Sequence, residues 1–234
     1  MKRLLAALAF LTRVPIRTAF TGADVGRASV FFPVVGVGIG ALQLGVWKLA
    51  SPHLTPLLVA VLVVSLSAWL TRGLHLDGLA DFVDGLGGGR SADDILRIMK
   101  DSRIGAFGAI ALVLVLGAKV AAVAAISAPE VLLLAPALSR WTPVALGYAL
   151  PYARQGASSG APSAHVGAVE LVGATCITAG LVVFWGHAVL VGVVVLVSVL
   201  VGGIAKRRIG GVTGDVLGAN VELVESAVLI VATL

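Results

Sequence analysis

Seven stretches of about 20 mostly apolar residues follow one another along this 234-residue chain, at about 30–50, 56–74, 104–127, 130–150, 166–186, 188–205 and 216–234. At the rise of an α-helix, that length spans the hydrocarbon of a bilayer. In lipid the backbone must satisfy its own hydrogen bonds, which leaves helices and closed barrels, and barrel strands are only about ten residues long. The chain therefore reads as all-α: a polytopic integral membrane helix bundle of about seven transmembrane helices, forming one domain over 1–234.

The basic residues orient it. Lys2, Arg3, Arg13, Arg17 and Arg27 precede the first run. Arg72, Arg90, Arg97, Lys100 and Arg103 follow the second, Arg154 follows the fourth, and Lys206, Arg207 and Arg208 follow the sixth. The alternate connections carry only Lys48. Positive charge collects on the cytoplasmic side, so the N-terminus is expected in the cytoplasm of a cell whose inner membrane holds the protein. The net charge of +5 is thus topology rather than a nucleic-acid footprint, since the basic residues flank apolar runs. Residues 1–29 read as a retained interfacial segment, because Arg13 and Arg17 interrupt its apolar stretch and no small-residue cleavage site follows. The single Cys176 excludes a disulfide framework and reads as a small core residue. Gly36-x-x-x-Gly40 is a spacing that lets helix backbones approach closely. Self-association is left open.

Against 59% hydrophobic residues, HLDGLADFVDGLGGGR (75–90) places three of only 12 acidic residues, Asp77, Asp81 and Asp84, within eight positions. On a helix, Asp81 and Asp84 lie about 40° and −20° around from Asp77, so the carboxylates share one stripe. Such a stripe at a membrane boundary is stable when cations neutralise it. Hard oxygen donors, without Cys and with only His75 near, favour Mg²⁺ or Mn²⁺ over Zn²⁺; a solvated loop face is the bland alternative. Gly85, Gly87, Gly88 and Gly89 are expected to end the helix and free backbone amides for phosphate. Ser91 with Asp94 reads as a helix cap. Lys100, Asp101, Ser102 and Arg103 then crowd the mouth of the third span, either as salt bridges or as clamps on phosphate oxygens. Segment 75–103 is thus expected to be a cytoplasmic catalytic loop.

A second polar cluster, KRRIGGVTGDVLGANVELVE (206–225), brings Asp215, Asn220, Glu222 and Glu225 into the last span, with Arg207 and Arg208 at its approach. Acids within a span are costly. They either bind a polar substrate or pair with Arg140 in the fourth span.

GLHLDGLADFVDGLGGGR, IMKDSRIGAFG, RRIGGVTGDVLGANVELVE, FLTRVP (10–15) and ALSRW (137–141) together resemble the cobalamin synthases, the adenosylcobinamide-GDP ribazoletransferases. The resemblance implies a Mg²⁺-dependent membrane transferase at the last step of cobalamin nucleotide-loop assembly. The 5′-hydroxyl of α-ribazole, or its 5′-phosphate form, would attack adenosylcobinamide-GDP and release GMP. It gives Asp77, Asp81 and Asp84 the metal and catalytic roles. Substrate contacts fall to Lys100, Asp101, Ser102, Arg103, Asp215, Asn220, Glu222, Arg207, Arg208 and His75. Two other readings compete. A CDP-alcohol phosphotransferase shares the start of its motif with Asp81-x-x-Asp84-Gly85, and an ion-coupled transporter would use Asp77 or Glu222 as a relay.

Overall fold

The computed structural model describes residues 1–154 and 161–234, and every regular element among them is helical. The elements are α1 (Lys2–Leu11), α2 (Gly22–Ala28), a 3₁₀ turn (Ser29–Phe31), α3 (Phe32–Ala50), α4 (Pro56–Leu70), α5 (Leu74–Gly88), α6 (Ala92–Ile98), α7 (Ala106–Ala125), α8 (Val131–Ala149), a second 3₁₀ turn (Pro162–His165), α9 (Ala168–Trp185), α10 (Ala188–Ile209) and α11 (Gly214–Val231). Four stretches are long and apolar enough to cross a bilayer: Gly22–Ala50, Ala106–Ala125, Ala168–Trp185 and Ala188–Ile209. A fifth is added if α4 and α5 count as one span broken by an 88° bend. α8 and α11 match these in length, but they carry Arg140 and the acids Asp215, Glu222 and Glu225. Among the described residues four to five spans thus qualify by length and composition, where the sequence reading counts about seven.

α8 and α11 are buried over most of their length and form the bundle's centre. α8 packs on α3 at the two small residues anticipated for close approach. A Cβ on Gly36 would lie 2.4 Å from the Pro136 carbonyl oxygen, and one on Gly40 would lie 2.2 Å from that of Leu132. As numbers rise on α3 they fall on α8, so the pair is antiparallel. Pro136 and Pro143 lie inside α8. A proline deprives the carbonyl four residues back of its donor, and the Thr142 hydroxyl repairs the Pro143 break by donating to the Ser139 oxygen at 2.7 Å. Cys176 is exposed on α9, so the core placement expected of it does not hold.

Two consecutive left-handed residues, Arg72 (φ 58°) and Gly73 (φ 68°), make the sharp turn from α4 to α5. Glycine takes that conformation freely, whereas arginine is strained there by about 1–3 kcal/mol. The turn is held from outside by α1. The Arg72 guanidinium donates to the Ala9 oxygen at 3.1 Å, the Arg13 amide donates to the Leu70 oxygen at 2.8 Å, and the Arg13 guanidinium sits 4.2 Å from the Trp69 ring centre. After the turn, 75–103 is no loop. α5 runs as a continuous helix that buries His75, Leu79, Phe82 and Asp84, with α7 and α11 as neighbours. Its apolar positions have helical spacing, and that face finds a partner inside the bundle.

The glycines after Asp84 end α5 as expected, with Gly89 as its C-cap, but serve a different purpose. α5 continues through Gly88, and a Cβ on Gly85 or Gly87 would come within 2.7 Å of Met99 or 2.5 Å of Phe107. They admit the side chains of the following segment rather than present amides to phosphate. Ser91 caps α6 as anticipated, accepting from the Asp94 amide at 3.2 Å.

Candidate active site

α5 separates the three aspartates by function. Asp77 and Asp81 open into a cleft of about 540 Å³ between the α4–α5 turn and the approach to α7, together with Arg72 and Ser102. Asp84, one turn further, points elsewhere. It is 9% exposed, and its two oxygens accept the amide hydrogens of Gly105 at 2.7 Å and Gly108 at 2.8 Å. A carboxylate at a helix N-terminus satisfies orphan donors and complements the dipole. The two glycines of RIGAFG exist for this contact, because a Cβ on either would come within 2.4 Å of the carboxylate. Asp84 therefore seats α7 against α5, apart from the cleft that holds Asp77 and Asp81. Asp84→Asn should cost about 1–3 kcal/mol, since an amide NH₂ would then face a backbone donor. The check is the unfolding midpoint in detergent, and wild-type stability would overturn this role.

α11 packs on the other side of α5. Gly78 crosses it so closely that a Cβ would lie 2.9 Å from the Asp215 carbonyl oxygen, and Gly218 lies against His75. Asp215 accepts from the Arg154 guanidinium at 2.7 Å and from the Thr213 hydroxyl at 3.3 Å. Asp77, Asp215 and Asp84 all press negative charge on Asp81, and Arg154 is the cation that partly offsets it. Among the described residues no group of three or more His, Cys, Asp or Glu is placed to hold a metal by itself. What remains is a pair, Asp77 and Asp81. That donor set fits Mg²⁺, which is commonly held by one or two carboxylates with waters and substrate phosphates completing the shell.

The other anticipated contacts divide. Ser102 and His75 lie on cavity walls, His75 in a partly open cavity on the other side of α5 that also includes Asp77 and Asp215. Asp101 and Arg103 hold each other through two bonds of 3.0 and 2.7 Å at the surface, and the Arg103 guanidinium keeps the Asp101 carboxyl down at about 2. Lys100 and Arg207 are exposed. Arg208 donates to the Gly89 oxygen at 3.2 Å, fastening α10 to the end of α5.

Asn220 and Glu222 are not on the site. Asn220 is fully buried and donates to Ser198 of α10 at 3.1 Å. Glu222 pairs with Lys119 of α7 at 2.5 Å in the bundle interior, and Glu225 bonds both Lys119 and Arg140. Of the two roles read for acids in the last span, Glu222 and Glu225 show pairing, and Asn220 and Glu222 line neither of the cavities beside Asp77. The sequence reading missed Arg72 and Arg154, which entered only as topological charge. A usable signal for the first was its Arg-Gly pair five residues ahead of Asp77.

The family model described as Cobalamin-5-phosphate synthase matches residues 3–233. The chain is similar to proteins named adenosylcobinamide-GDP ribazoletransferase in three distant bacteria. It is 40% identical to that of Pseudomonas paraeruginosa (all of this chain, 98% of the relative) and 41% identical to that of Syntrophobacter fumaroxidans (95% and 94%). The identity to that of Shigella boydii is 36% (96% of each). No solved structure matches. A match over almost the whole length, joined to a paired-carboxylate cleft in a helical bundle of apolar spans, places this chain in the cobalamin-5-phosphate synthase family.

Proposed function

We propose that this protein joins adenosylcobinamide-GDP to α-ribazole or its 5′-phosphate in the last step of cobalamin assembly, releasing GMP at the cytoplasmic face of the cell membrane. The observation that carries this is the cleft in which Asp77 and Asp81 face Arg72 and Ser102, in a chain whose relatives bear the transferase's name. A ribose hydroxyl oxygen attacks the phosphorus bonded to cobinamide. The bond from that phosphorus to the bridging oxygen breaks, and GMP leaves with that oxygen. The hydroxyl proton passes to a cleft carboxylate. A product bearing a 5-phosphate, as the family description names it, has its 5′ oxygen occupied. The attacking group is therefore a ribose hydroxyl other than the 5′, in place of the one the resemblance had implied.

Asp77 and Asp81 would hold Mg²⁺, which supplies charge neutralisation on the diphosphate. Arg72 lines the same cleft, and its guanidinium, which donates to the Ala9 oxygen, would turn to phosphate oxygens when substrate is bound. The Ser102 hydroxyl offers a further donor. Glu222 is neutralised by Lys119, which weakens the reading of an ion-coupled transporter that uses it as a relay.

The test is GMP release from adenosylcobinamide-GDP by purified protein in lipid. Release is expected only with α-ribazole or its phosphate present, and EDTA should abolish it with recovery on adding Mg²⁺. Release that ignores either the acceptor or the metal would refute the reading.

A further inference from the structure

Behind Asp77, across the N-terminal turn of α5 from the cleft, lies the partly open cavity of about 280 Å³. Asp77 and Leu74 stand in the walls of both spaces. The cavity is mostly apolar. Phe10 and Phe32 line it as a parallel pair, with ring centres 5.9 Å apart and planes 12° from each other. Its charged side chains are the acids Asp77 and Asp215, and no Lys or Arg among the described residues lines it.

Two polar atoms in this wall have no hydrogen-bond partner: Ser29 Oγ, on a residue 2% exposed, and His75 Nδ1, on a residue 4% exposed. A buried polar atom left without a partner costs about 1–3 kcal/mol, and buried polar atoms in native proteins are overwhelmingly paired. Two such atoms on residues that line one cavity mark a place where a ligand supplies the missing bonds once these side chains turn toward it. Charge and size select among the reaction's components. A nucleoside diphosphate is disfavoured because the wall presents the Asp77 carboxylate and no free cation, the nearby Arg154 being paired with Asp215, and a corrinoid is far too large for the volume. An uncharged nucleoside with a flat bicyclic base fits both constraints, since aromatic side chains take aromatic bases and the polar atoms take sugar hydroxyls.

We infer that this cavity is the acceptor pocket, holding the base and sugar of the benzimidazole riboside with Ser29 and His75 as hydrogen-bonding partners and Asp77 at the wall it shares with the diphosphate cleft. The assignment rests on the proposed transfer reaction. It gives Asp77 a second task, since a sugar hydroxyl in the cavity meets the same carboxylate that faces the phosphates. Any 5′-phosphate on the acceptor lies at the mouth, outside the acidic wall.

The experiment follows the benzimidazole fluorescence of α-ribazole on titration with the full-length protein in lipid nanodiscs, with neither Mg²⁺ nor adenosylcobinamide-GDP present. Wild-type protein is expected to bind saturably, and GMP is expected not to displace the riboside. Asp81→Asn, which alters only the cleft, should bind it within about threefold of wild type. Ser29→Ala, which removes one hydrogen bond, should weaken binding up to about tenfold. Ser29→Leu, which also fills space, should weaken it more and raise KM for α-ribazole in the transfer assay while leaving KM for adenosylcobinamide-GDP unchanged. The inference is overturned if wild type shows no binding, as for a cavity holding only water. It is likewise overturned if GMP competes, or if both Ser29 variants bind as wild type. These failures differ from failure of the reaction itself: GMP release that still requires α-ribazole, with unchanged KM in the Ser29 variants, moves the acceptor elsewhere and leaves the transfer standing.

Discussion

Asp81→Asn is expected to lower GMP release by at least about 10³-fold while the protein stays folded. Two effects act together. The amide keeps the shape of the carboxylate but removes one of the two negative charges available to a dication in the cleft. It also removes a candidate acceptor for the hydroxyl proton, and loss of such an acceptor by itself is worth about 10²–10⁴ in rate. Loss of a preorganised electrostatic partner adds about 10²–10³. Folding is spared because Asp81 presses against the like charges of Asp77, Asp84 and Asp215, so neutralising it relieves repulsion. Its neighbour Asp84, bonded to two backbone amides, should behave in the opposite way and lose stability. Asp93→Asn, at the exposed start of α6, serves as the control and should retain turnover within a few fold. An Asp81→Asn protein with wild-type turnover would remove the cleft from the reaction.

The contrast between Asp81 and Asp84 marks where the sequence stops being readable. Helical spacing correctly puts three carboxylates on one stripe, but a stripe about 60° wide spans two different neighbours. Which side each acid turns to depends on where α7 begins, 21 residues beyond Asp84. The glycines of RIGAFG carried that information, since they are required only if a large group closes on the helix start, yet nothing local named the group. The run from Gly85 to Gly89 misled for a related reason. Glycine lets a ligand approach the backbone and lets a neighbouring helix do so equally well, and here Met99 and Phe107 are the visitors. Where the approaching element was itself another apolar run, as at Gly36 and Gly40 against α8, the reading held. The membrane character needed no tertiary knowledge, because the lengths of the apolar runs are set by the bilayer. Ser29 and Phe10 were invisible as ligand-facing residues: they reach the cavity only because α1 and α2 dock over the start of α5, and no motif encodes that docking.

Removing one member of the buried charge cluster in the bundle is expected to be the largest stability effect of any single substitution outside the helix contacts. Lys119 from α7, Arg140 from α8, and Glu222 and Glu225 from α11 are all buried, and their formal charges cancel. The Ser139 hydroxyl also donates to Glu225 at 3.3 Å. In a low-dielectric interior such a set is weak evidence of net stabilisation, but breaking it leaves an uncompensated charge and costs about 3–5 kcal/mol. Arg140→Met leaves Lys119 as the one cation on Glu225 and a net negative cluster, so the unfolding midpoint in detergent should fall by about 10 °C, taking about 3 kcal/mol at 2–4 °C per kcal/mol. Adding Glu225→Leu to that variant restores neutrality through the remaining Lys119–Glu222 pair, and most of the loss should return. The double variant also bears on function. α11 carries Glu222 and Glu225 on the buried side and Asp215 and Gly218 against α5, so a cluster that only fixes the helix predicts recovered turnover along with recovered stability. A relay that moves charge through these groups predicts a stable protein with no activity.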